Sequence, residues 1–80
     1  MFEQTRRVYE VMAYAKADDD QPRTRDTYPR KADALRDAQV RASAFGRVEV
    51  NALFVDINDD GNIFGADLIA AYENGRKTTK

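Results

Sequence analysis

The sequence predicts an α+β domain: a small curved antiparallel sheet in the order β-(β)-α-β-β, with one helix packed on one face. Three observations carry that expectation. Val8–Tyr14 and Val48–Ile57 are rich in β-branched and aromatic residues, which favour strands. Between Pro29 and Gly46 the apolar residues recur at helical spacing. Asn58–Asn62 and Asn74-Gly75 carry the residues that fold strands back on themselves. A chain of 80 residues has room for a single core, so three to five strands and one helix in one domain over 1–80 are expected, with 1–5 and 77–80 as tails.

The first strand runs through Arg6–Lys16. Val8, Met12 and Tyr14 share one face and Tyr9, Val11 and Ala13 the other, so both faces are apolar and a central position is expected. Three adjacent carboxylates, Asp18, Asp19 and Asp20, followed by Pro22, end it in an exposed turn. Arg23–Tyr28 then returns as a short, charged edge strand.

Pro29 suits the first helical position, where its missing N–H has no partner to lose, and it holds Tyr28 extended. A helix over Arg30–Phe45 follows. Leu35, Ala38, Ala42 and Phe45 line one side, and Asp37 with Arg41 forms a favourably oriented i,i+4 pair. Gly46 is the expected residue just beyond its C-terminus.

From Val48 to Asn51 the pattern alternates; from Leu53 to Ile57 it does not. A bulge near Asn51-Ala52 would switch faces, or a partner would cover Leu53, Phe54, Val55 and Ile57 in a homodimer. For Ile63–Tyr72 a strand is favoured over a short helix. It would pair back on Val48–Ile57, with Gly65 at a bulge or close approach. Asn74-Gly75 marks a hairpin turn or a helix cap.

Composition excludes more than it assigns. The chain has no cysteine and no histidine, and Ser43 is its only serine, so Ser–His and Cys–His nucleophiles and thiolate metal sites are ruled out. The four glycines are scattered, so there is no phosphate loop, and enzyme activity is not expected. The absence of cysteine and of any long apolar run leads to the expectation of a cytoplasmic protein without a membrane span. A net charge of −1 gives little drive toward nucleic acid.

Charge is unevenly distributed, however. Between Arg47 and Arg76 every charged residue is acidic: Glu49, Asp56, Asp59, Asp60, Asp67 and Glu73. With Asp18, Asp19 and Asp20 these carboxylates form a candidate surface for a protein, or a protein–RNA complex, with a basic groove. Arg23, Arg25, Arg30 and Lys31, with Tyr28 among them, are the alternative basic set for a small nucleic-acid-binding domain.

The run Asp56-Ile-Asn-Asp-Asp-Gly-Asn-Ile-Phe-Gly-Ala-Asp-Leu68 resembles a calcium loop of the EF-hand or dockerin kind. The resemblance implies Ca²⁺ held by Asp56, Asn58, Asp60 and Asp67. Phe64 in the ninth position, a strand where the entering helix belongs and the lack of a second loop all depart from it, so a hairpin turn without metal is preferred.

The strand Val8–Ala15, the helix after Tyr28-Pro29 and the hairpin Val48–Tyr72 with Glu73-Asn-Gly-Arg76 together resemble the small phage-encoded anti-CRISPR inhibitors in size and element order. That resemblance implies a non-enzymatic protein that binds in the host cytoplasm to the nucleic-acid groove of a CRISPR surveillance complex.

Overall fold

The computed structural model describes residues 5–56 and 62–78. It consists of β1 (Thr5–Tyr14), β2 (Thr24–Tyr28), α1 (Lys31–Ala42), β3 (Arg47–Asp56), β4 (Asn62–Glu73) and β5 (Arg76–Lys77). The strands form one antiparallel sheet in the order β2-β1-β3-β4-β5, with α1 packed on one face. Thr5 and Lys77, assigned to the tails by the sequence, lie in β1 and β5.

β1 and β3 are central, which explains their two apolar faces. Toward α1, Val11, Val48 and Val50 are fully buried with Ala13 and Ala70 against Ala34, Ala38 and Ala42 of the helix. Alanines along the helix seam let its backbone approach the sheet closely, and each buried valine contributes roughly 1.5–3 kcal/mol. On the other face Tyr14, Leu53 and Val55 are also buried. The stretch expected at a homodimer contact is therefore largely internal. Leu53 and Val55 are buried, Phe54 is half-buried beneath Arg7, both edges of β3 are paired, and Ile57 lies outside the described residues.

Three local expectations are corrected. α1 begins at Lys31, with the extended Arg30 as its N-cap (φ −114°, ψ 133°), so Pro29 belongs to the corner after β2 and not to the helix. It ends at Ala42 with Ser43 as C-cap, and Ala44 and Phe45 turn back onto the Arg41 carbonyl. Gly46 accordingly is no left-handed cap. It is required because a Cβ there would meet the Lys16 and Ala17 backbone at 2.7 Å.

The bulge near Asn51 exists, but its extra residue is on β4. β3 keeps an unbroken register with β1, while Val50 pairs with Ala70 and Asn51 with Leu68, leaving Ile69 over. A second shift leaves Phe64 over, beside Gly65. Ile63–Tyr72 is strand, as expected. Asn74 (φ 52°) and Gly75 (φ 83°) both take the left-handed conformation that a tight two-residue hairpin needs, joining β4 to β5.

Candidate protein-docking site

The acidic set divides in two. Asp18, Asp19 and Asp20 occupy the β1–β2 loop, at the end of the sheet where β3 begins with Arg47. Glu49 and Glu73 lie near that end on the face away from α1, Glu73 directly across from Arg47. Asp56 ends β3, nine residues and about 30 Å further along. Asp67 is exposed on β4 opposite Ala52, on the other face. Asp59 and Asp60 lie outside the described residues. The far end is also less one-signed than the sequence reads, because β1 brings the exposed Arg6 and Arg7 beside Val55 and Phe54.

At the near end one side chain organises the rest. The Arg47 guanidinium stacks 3.9 Å from the centroid of the Tyr14 ring. Its terminal nitrogens donate to the carbonyls of Ala17 (2.6 Å) and Asp19 (3.1 Å). Its buried Nε has no hydrogen-bond partner and lies 3.6 Å from Glu49 Oε2, within ion-pair range only. Glu49 also accepts from the Tyr14 hydroxyl at 3.3 Å. The loop closes on itself as well: Asp19 N–H donates to the Lys16 carbonyl and Lys16 N–H to the Asp19 carboxylate, both at 3.1 Å. Asp19 and Glu49 are thus used internally. Asp18 and Asp20 remain exposed on a backbone held from three directions, with Lys16 and Arg23 exposed to either side.

A second polar cluster joins α1 to β2. Arg41 donates to Asp26 (2.5 Å) and Thr24 (2.5 Å) on β2 and pairs with Asp37 one turn back at 3.0 Å, the i,i+4 contact expected from the sequence. Asp37 accepts from the Tyr28 hydroxyl at 2.7 Å. That hydrogen bond, with burial and the Asp37 charge, pushes the Tyr28 phenol above its ordinary value. Burial alone would lower the Arg41 pKa; the hydrogen bond to Asp26 and the charges of Asp37 and Asp26 outweigh it, and the net shift is upward.

The basic alternative is dispersed. Arg25 is drawn to Glu10 at 3.8 Å, Arg23 is exposed before β2 while Arg30 and Lys31 are exposed together at the start of α1, beyond the other end of that strand, and the Tyr28 hydroxyl is committed to Asp37. For metal, the proposed ligands do not converge on Asp67. Asp56 pairs with Asn62 while Asp67 pairs opposite Ala52, four residues and about 13 Å back along β3. Asn58 and Asp60 lie outside the described residues. Among the described residues no three acidic groups gather to hold a cation, and no helix is long and apolar enough to cross a membrane.

Sequence reasoning missed the roles of Arg47 and Tyr14 and the reach of Arg41 to Thr24 and Asp26, though it anticipated the Asp37–Arg41 pair. One signal was available: Arg47 opens the tract that is otherwise acidic up to Arg76. No protein-family model, curated protein or solved structure matches this chain.

Proposed function

We propose that this chain is a non-enzymatic protein-binding inhibitor that presents Asp18 and Asp20 to a basic nucleic-acid-binding groove on its partner. The observation supporting this reading is the pair of hydrogen bonds from Arg47 to the Ala17 and Asp19 carbonyls. They hold the loop before any partner arrives, so ordering it on binding costs little of the interaction energy. Carboxylates on such a loop steer encounter with a basic surface and compete with phosphate for it. The likeness to anti-CRISPR inhibitors in size and element order names a CRISPR surveillance complex as the partner class to test.

The test is capture of the chain by such a complex, with and without its DNA target, using wild type, Asp18→Lys/Asp20→Lys and Asp59→Lys/Asp60→Lys. Wild type should bind the free complex, lose binding when DNA is present and associate more slowly above ~0.15 M salt, where the Debye length is about 8 Å. The Asp18/Asp20 variant should fail to bind. Equal capture of that variant at low salt, or capture indifferent to DNA, would show the loop to be solvated surface only.

A further inference from the structure

The clamp that joins α1 to β2 has a consequence on the helix's opposite flank. Arg41 and Asp37 tie α1 toward β2 through Asp26, Thr24 and Tyr28, while the sheet continues past the helix into β4 and β5. A groove of about 640 Å³ is left between α1 and the β4–β5 hairpin. Leu35, Ala42 and Tyr72 give it apolar lining, Ala42 buried and Leu35 and Tyr72 half-buried. Arg36, Gln39 and Lys77 stand along its rim.

Among the described residues no carboxylate lines the groove, so the charge they give it is of the sign opposite to the acidic loop. Lys77 is exposed and shares the helix-side face with Tyr72, its cross-strand neighbour. The Arg36 side chain is 77% exposed, and its ion pair with Asp33, at 3.7 Å, is too long and too solvated to neutralise it. From Ala32 to Ser43 the helical wall runs about 16 Å, the length of roughly five extended residues. Gln39 offers both a donor and an acceptor midway along it, as a peptide backbone requires.

We propose that this groove binds an extended acidic peptide of a partner, with an apolar side chain on Leu35 and Tyr72 and carboxylates on Lys77 and Arg36. It is a second surface, independent of the acidic loop, and it would let the chain engage an acidic and a basic element at once.

The experiment is amide NMR of the whole chain titrated with capped Leu-Glu-Leu-Glu-Leu, with capped Leu-Lys-Leu-Lys-Leu, and with butyrate alone. The acidic peptide should shift the amides of Leu35, Gln39, Tyr72 and Lys77 and saturate below about 2 mM, in the range of weak peptide contacts. Lys77→Glu and Arg36→Glu, both at exposed positions, should each weaken it about fivefold with melting temperature unchanged. No shift at these amides by 2 mM, equal binding of the basic peptide, or equal binding of butyrate would each overturn the proposal. Shifts by the basic peptide at Asp18–Asp20 would concern the acidic loop instead, so the two surfaces are told apart in one titration.

Discussion

The guanidinium of Arg47 lies 3.9 Å over the ring of Tyr14, on the face of the sheet that carries no helix. Stacking there removes one side of the cation from water, and the Ala17 and Asp19 carbonyls together with Glu49 replace that hydration. The pair therefore closes one end of the sheet and holds the acidic loop in the same contact set.

Replacing Arg47 by Met keeps most of the stem on Tyr14 but leaves the Ala17 and Asp19 carbonyls without their donor. The expected loss is about 2–4 kcal/mol, from the cation–π contact and two charge-assisted hydrogen bonds. In a domain of this size that is a fall in melting temperature of at least about 8 °C. Amide exchange over residues 16–20 should accelerate more than in the core strands. Unchanged loop exchange would show that the loop is held by its own turn bonds.

Stability should also depend on Tyr28 at high pH. Because its phenol is raised in the folded state, first by the hydrogen bond to Asp37 and then by burial and the Asp37 charge, folding favours the protonated form. The stabilisation is full below the unfolded pKa of about 10 and is lost as pH rises through the higher folded value. The stability difference between wild type and Tyr28→Phe, measured by urea unfolding, should be constant near pH 8 and shrink toward about pH 11. A difference independent of pH would exclude the Tyr28–Asp37 bond as its source.

Calcium should leave the melting temperature unchanged. The register carries Asp67 about 13 Å along the sheet from Asp56, whereas one Ca²⁺ draws its oxygens to within 2.3–2.6 Å of itself. A site of ~10 μM affinity would add roughly 2.7 kcal/mol at 1 mM calcium. Thermal unfolding with calcium, magnesium or chelator decides it: a rise of several degrees in calcium alone would require β4 to be re-registered.

Much of the architecture was legible in sequence because it rests on local rules. The period of Leu35, Ala38 and Ala42 required a helix, and the two-sided apolar pattern of Val8–Tyr14 required a central strand. Asn74-Gly75 marked a hairpin turn or a helix cap, and the structure makes it the hairpin turn, with both residues left-handed.

What the sequence left open depended on which residues become neighbours across the sheet. A bulge could be expected near Asn51, but the chain that holds the extra residue follows from pairing: β3 is constrained on both edges, so the irregularity went to β4. Gly46 looked like a helix cap because its other neighbours, Lys16 and Ala17, are remote in sequence and enter only when β1 and β3 align. The acidic residues form one list along the chain, yet strand length and the alternation of side chains separate Asp18–Asp20 from Asp56 and Asp67. In sequence Arg47 is one cation opening an acidic tract. Only the tertiary structure sets it between Tyr14, Glu49 and the loop, because side-chain period and propensity act over a few residues while charge and hydrogen bonding act between whatever the register brings together.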